Sequence, residues 1–105
     1  MIVRSLMYIE EIFSGDTVQL NIEGKIDSLA SKEFQDAVLK SFQKSNTLIL
    51  NLEKTEYISS AALRALTLGH KTAQSKGGRM TLINVQPAVE DVLVTMGFNK
   101  MLDIR

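Results

Sequence analysis

The chain has no cysteine and no tryptophan, a single proline, a single histidine and no excess of either charge. Without cysteine there can be no disulfide framework and no thiolate metal site, and the composition fits a reducing compartment. Twelve basic residues balance twelve acidic ones. Lys and Arg are scattered rather than clustered, so no basic field exists to hold nucleic acid phosphates. The opening stretch MIVRSLMYIEEIF is interrupted by Arg4, Ser5, Glu10 and Glu11 and holds no unbroken apolar run of the signal-peptide kind. No window approaches the roughly 18 apolar residues of a membrane span. The glycine-rich phosphate loops are missing too: neither GxxxxGK before Ser or Thr nor GxGxxG occurs. These absences predict a soluble, cytoplasmic protein with no cofactor, no nucleic acid partner and no membrane insertion.

What is present is an ordinary globular balance, 45% hydrophobic and 23% charged over 105 residues. That length suits one domain spanning 1–105. Residues 8–13 and 17–22 are β-prone runs separated by Ser14-Gly15-Asp16, a hairpin signal. In the second run Val18, Leu20 and Ile22 alternate with Gln19 and Asn21, giving one apolar face. Asp27, Ser28 and Ser31 offer side-chain acceptors for a helix start. Phe34, Val38 and Phe42, spaced by four, then mark the apolar stripe of a helix of about three turns. Residues 47–52 form a nearly continuous apolar run, as in a covered parallel strand.

A second helix is expected from Ser60 or Ala61 to Lys76, closed by Gly77-Gly78. A strand over 80–83 follows. Pro87 opens a third helix, 88–96, ended by Gly97. Residues 102–104 could add one last short strand. Strands alternating with helices predict an α/β domain with a mixed, mostly parallel sheet of four to five strands and three to four helices.

Enzyme chemistry finds little support. His70 has no neighbours at metal-ligand spacing. As a base for Ser60 on the same helix it would stand ten residues away, roughly 15 Å along the axis. A hydrogen bond needs about 3 Å, so the dyad fails on geometry. Glu10-Glu11 and Glu90-Asp91 read as solvated surface, the latter pair in a first helical turn where negative charge suits the dipole.

The stretch YISSAALRAL, residues 57–66, carries more information. Two hydroxyls lie where a strand gives way to a helix. Either serine can cap that helix, contributing about 0.5–2 kcal/mol. A second reading stands beside the first. Ala61 and Ala62 remove bulk from the helix start, and Arg64 sits in the first turn against the dipole, one turn beyond Ser60 on the same face. A hydroxyl beside an arginine and free N–H groups is a seat for a phosphate. Residue types alone leave both readings open.

Motifs along nearly the whole chain resemble the STAS domain, the fold of the bacterial anti-sigma factor antagonists. Gly24-Lys25-Ile26-Asp27 looks like the family's G-x-(L/I)-D after the second strand. Leu48-Ile49-Leu50-Asn51-Leu52 looks like its central strand, and Tyr57-Ile58-Ser59-Ser60-Ala61-Ala62-Leu63 like its aromatic-(M/I)-D-S-(S/A/T)-G-L. Gly77-Gly78, Pro87-Ala88-Val89 and Gly97-Phe98 follow in the family's order. Ser59 stands where the family carries aspartate, and Ala62 where it carries glycine.

The resemblance implies a partner switch. The unphosphorylated protein would bind an anti-sigma factor that is also a serine protein kinase. Phosphorylation on Ser60, with Ser59 as the fallback, would release it, and a phosphatase of the PP2C type would restore binding. The partner surface implied is Asp27, Ser28, Ser59, Ser60, Ala61, Ala62 and Arg64, with Asp27 and Ser28 equally readable as caps of the first helix. The same fold can instead serve, without phosphorylation, as an accessory subunit of an ABC-type lipid transporter. The sequence names neither the partner nor the oligomeric state.

Overall fold

The computed structural model describes residues 6–105. Arg4 and Ser5, which entered the reading of the N-terminus, lie outside the described residues.

The alternation in the second apolar run becomes a strand with one covered face. Strand β1, Met7–Ser14, turns through Gly15-Asp16 into β2, Thr17–Ile26. Gly15 has φ +60° and Asp16 does not share the positive φ, the pattern of a type II′ hairpin turn. Helix α1, Ser31–Lys44, leads to β3, Thr47–Ile58, and helix α2, Ser60–Ser75, leads to β4, Arg79–Ile83. Helix α3, Pro87–Thr95, and a 3₁₀ turn, Phe98–Lys100, precede the two-residue strand β5, Asp103–Ile104. The five strands stand in chain order, β1-β2-β3-β4-β5, with β1 antiparallel to β2 and every other pair parallel. The expected mixed, mostly parallel α/β sheet is what forms.

Val18, Leu20, Leu48, Leu50 and Leu82 turn one face of the sheet into the core. Helices α1 and α2 pack on each other and on β2, β3 and β4, with Phe34, Val38 and Phe42 from α1 and Ala65 and Leu66 from α2 fully buried. The stripe read from the four-residue spacing therefore meets the core as expected. At about 1.5–3 kcal/mol for each large apolar side chain buried, these residues dominate the favourable side of folding. The opposite face carries polar side chains joined across three strands. Asn21 Nδ2 donates to Glu10 Oε1 at 2.9 Å, Asn51 Nδ2 to Asn21 Oδ1 at 3.0 Å, and Asn84 Nδ2 to Asn51 Oδ1 at 3.2 Å.

Several boundaries differ from the sequence reading. Strand β2 runs four residues beyond Ile22 and β3 six beyond Leu52. The β3 extension, Glu53 to Ile58, carries alternating charge and looks like a loop, but Thr55 is fully buried and its hydroxyl donates to the Ile22 carbonyl at 2.8 Å. In β2 the register shifts on either side of Gly24, whose φ is +98°. A Cβ there would overlap the Leu6 carbonyl oxygen, so only glycine lets the start of β1 come this close. Helix α1 starts at Ser31, the last of the three candidate acceptors, and its N-cap, Ala30, offers no side-chain hydrogen bond, so neither Asp27 nor Ser28 is the N-cap. Helix α3 begins at Pro87, the opening position expected from the sequence, whereas the 3₁₀ turn after Gly97 had no signal there.

Glu10 and Glu11, neighbours on β1, point to opposite faces of the sheet, and both have partners. Glu10 joins the amide chain, while Glu11 Oε2 lies 2.7 Å from Lys44 Nζ on α1. At the far edge of the sheet, Asp103 Oδ1 meets Arg105 Nε at 3.1 Å and its Oδ2 accepts from Thr81 Oγ1 at 2.9 Å. Those two contacts, Arg105 first, hold the Asp103 carboxyl below its usual range.

Candidate functional site

The strand extensions past the apolar runs carry two junctions to the same end of the sheet. Parallel pairing sets Lys25 beside Tyr57 and Ile26 beside Ile58. The next link is a backbone bond from Ser59 N–H to the Ile26 carbonyl at 2.9 Å. Thus the turn after β2, with Asp27 and Ser28, lies against the start of α2, with Ser59 and Ser60. This end is the C-terminal edge of the parallel strands, where α/β sheets present ligand-binding loops.

The two serines take different jobs. Ser59 is extended, with φ −90° and ψ 169°, and is the N-cap of α2. Its Oγ accepts from Ala62 N–H at 3.2 Å, and its carbonyl accepts from Leu63 N–H at 3.0 Å. Only 9% of its surface is exposed. Ser60 is the first residue of the helix and exposed, and its hydroxyl has no partner among the described residues. Helix starts leave their first N–H groups without intrahelical acceptors. With Ala62 N–H taken by the Ser59 cap, those of Ser60 and Ala61 remain, on the outside of the fold.

Arg64 is exposed one turn along from Ser60, and no carboxylate neutralises it among the described residues. No acidic side chain occupies the first turn of α2, so the positive end of the helix and the guanidinium act together. Asp27 caps nothing in α1 proper. Its Oδ1 accepts from Ala30 N–H at 2.9 Å, closing a turn ahead of the helix, and Ser31 Oγ returns a bond to the Ser28 carbonyl at 2.9 Å. The Ser28 hydroxyl is unpartnered and exposed. Asp27 is half-buried.

Ala61 and Ala62 separate as well. Ala61 is half-buried at the surface, whereas Ala62 is fully buried and faces the core. The small side chain at 62 therefore fits the packing beneath the helix start, not an outward contact. Two exposed apolar residues that the sequence reading passed over flank the serines, Leu29 in the turn after β2 and Tyr57 near the end of β3. Leu29 was legible as an apolar residue among turn formers, but its exposure was not.

Comparison with known proteins places this geometry. The STAS domain profile matches residues 8–105. A STAS-domain-containing protein of Pseudomonas aeruginosa is 26% identical over 90 residues, covering 86% of this chain and 89% of its own length. Among solved structures, a Thermotoga maritima protein described as a candidate anti-sigma factor antagonist superposes with a TM-score of 0.85 at 22% identity, covering 91% of this chain and 84% of its own. The anti-sigma factor antagonist SpoIIAA in its unphosphorylated form gives 0.75 at 19% identity, covering 93% and 87%. The phosphorylated form of the Bacillus SpoIIAA gives 0.73 at 19%, covering 93% and 91%. The likeness to these structures is one of fold, and the profile match over nearly the whole chain establishes kinship: the protein belongs to the STAS domain family.

Proposed function

We propose that the protein is an anti-sigma factor antagonist that works by partner switching, with Ser60 as the phosphorylated residue. One observation carries this reading: Ser59 takes the capping role and leaves the adjacent Ser60 hydroxyl exposed, unpartnered and next to free helix N–H groups. A kinase can reach such a hydroxyl without unfolding the helix start. In the unphosphorylated state, Asp27, Ser28, Leu29, Tyr57, Ser60, Ala61 and Arg64 form a face with apolar anchors and polar groups for an anti-sigma factor that is also a serine kinase.

A phosphate on Ser60 adds about −1.5 to −2 charge. The helix start and Arg64 stabilise that charge in the free protein. In a closed interface the same group must be desolvated against a partner surface shaped for a neutral hydroxyl, so phosphorylation lowers affinity while leaving the fold intact. SpoIIAA, which shares the fold, is known in both phosphorylated and unphosphorylated forms. A PP2C-type phosphatase would complete the cycle.

Intact-mass analysis of the protein from its native cells, with fragmentation to place any added phosphate, tests the reading. Phosphate on Ser60 is the expected result. Phosphate on Ser59 would move the switch to the fallback residue and require the cap to open. Unmodified protein in both growing and stressed cells would overturn the switch and favour the phosphorylation-independent transporter-accessory role.

A further inference from the structure

The sheet has two faces, and its helices cover one. Strand residues alternate between the faces. Leu20, Leu48, Leu50 and Leu82 point into the core, so Gln19, Ile49, Asn51 and Ile83 point away from it. Helices α1 and α2 pack on the first face, and α3 sends Val89 and Leu93 into the same core. Ile12, opposite Gln19, takes no part in that core, and neither do Ile49 and Ile83. No described helix therefore lies over the second face.

This open face falls into three zones. Register sets Ile12, Gln19 and Ile49 side by side, with Ile83 one step on beside Asn51, so isoleucines form a band across the middle. Toward the C-terminal ends of the parallel strands, a cavity of about 250 Å³ opens among Tyr8, Glu10, Asn21, Glu23, Glu53 and Lys54. Three carboxylates stand there against one lysine. Glu10, bonded only to the neutral Asn21 amide, keeps its charge, and none of the three glutamates is in a salt bridge among the described residues. Toward the N-terminal ends, Thr17, Thr47 and Arg79 share a row. Arg79 is exposed and forms no salt bridge among the described residues. Asp103, which feels its charge, is already held by Arg105 and Thr81.

We infer that the open face is an interface between two copies of this chain, related by a twofold axis that runs across the strands along the isoleucine band. Such an axis lays the C-terminal end of one face on the N-terminal end of the other. Arg79 of each copy then enters the cavity of the other, where Glu23 and Glu53 meet its guanidinium and the Tyr8 ring can stack on it. Isoleucines near the axis meet their own copies. The two sets of strands stay within about 30° of each other, the aligned packing of a β-sandwich. An axis along the strands would instead bring the two acidic ends together, which is repulsive. The amide chain suits a covered face, because Asn21 and Asn51 already have partners within the sheet and closing over them strands no polar group. This inference stands independently of the switch proposed at Ser60.

A face of five short strands supplies less than the roughly 800 Å² per partner of a standard interface, so the dimer is weak and populates with concentration. Sedimentation of the full chain over a concentration series should show a monomer–dimer equilibrium that weakens as salt is raised. Arg79→Glu should weaken it at least tenfold. Adding Glu53→Arg to the same chain should recover most of that loss, since both ends of the contact are then reversed, and a misfolded variant would not recover. The chain has no cysteine, so single-cysteine variants report which face is shared. Under mild oxidation Ile12→Cys should cross-link to itself several-fold faster than Phe13→Cys, its neighbour on the helix side of the sheet. Both positions are exposed, so neither change disturbs the core. Faster linking through Phe13→Cys would overturn the proposed face. A monomer at every concentration, or a dimer that Arg79→Glu leaves intact, would overturn the inference as a whole.

Discussion

The two ends of the sheet use similar residue types to opposite effect. At the end holding the β1–β2 turn and the α1–β3 and α2–β4 junctions, polar groups are consumed locally. Ser45 Oγ donates to the Asp16 carbonyl and accepts from Thr47 N–H at 3.0 Å, and Lys76 Nζ donates to the Phe42 carbonyl. Gly77, at φ +67°, and Gly78 close α2 with bonds to the Gln74 and Ala73 carbonyls at 3.2 and 2.8 Å, a Schellman motif. At the other end Ser28, Ser60 and Arg64 have no such partners, and Leu29 and Tyr57 stay exposed. A serine or a basic residue signals function here only where local structure has left it unsatisfied. That difference is physical, and it can be probed one residue at a time.

The sharpest way to break the contrast is at the satisfied end. A Cβ at Gly78 would overlap the Asn46 carbonyl, which itself accepts from Arg79 N–H at 2.8 Å. Gly78→Ala should lower unfolding stability by about 1–3 kcal/mol, read from urea midpoints, because backbone rather than a flexible side chain must yield. Partner capture by the variant under folding conditions should be unchanged.

The adjacent serines offer a finer comparison. Ser59→Ala removes the only side-chain cap of α2 and should lose about 1 kcal/mol. Ser60→Ala should stay within about 0.5 kcal/mol of the parent, as expected of an exposed residue with no bonds. Equal losses at both positions would contradict the division of labour between them. Arg64→Ala should raise stability slightly, by a few tenths of a kcal/mol, since a cation leaves the positive end of the helix. It should at the same time weaken partner binding in a pull-down or calorimetric titration.

The smallest expected effect lies at the β5 edge. The folded Asp103 carboxyl sits below its unfolded value, so its ionised form stabilises the fold at pH values above the ordinary carboxylate range. That contribution fades as pH falls through the lowered folded value. The stability gap between parent and Asp103→Asn, followed by thermal unfolding, should therefore narrow on acidification and not on going alkaline.

Much of the fold was legible because the core writes itself as periodicity. The spacing of Phe34, Val38 and Phe42 and the alternation from Val18 to Ile22 gave α1 and β2, and glycine at 15, 77 and 97 marked three chain reversals. The strand extensions were not legible. Glu53, Lys54 and Glu56 carry no apolar signal, and they are held in β3 by pairing with β2, a long-range contact that no local window contains. The amide chain from Glu10 to Asn84 was equally hidden, since it links residues more than seventy positions apart and ends at Asn84, whose φ is 55°. At the site, the sequence placed a cap and an available hydroxyl on two identical residues. Only the extended backbone at Ser59 separates them.

The strand order has a consequence for biogenesis. Because each strand pairs with the one made just before it, the sheet can grow from one side as the chain leaves the ribosome, and no finished edge must reopen to admit a later segment. The β3–α2 junction that carries Ser60 is laid down before α3 and β5 exist. A nascent chain arrested beyond β4 should therefore already present an ordered Ser60 turn, which site-specific proteolysis of stalled complexes would reveal. The phosphorylation proposed at Ser60 would then have its target in place before synthesis of the protein is complete.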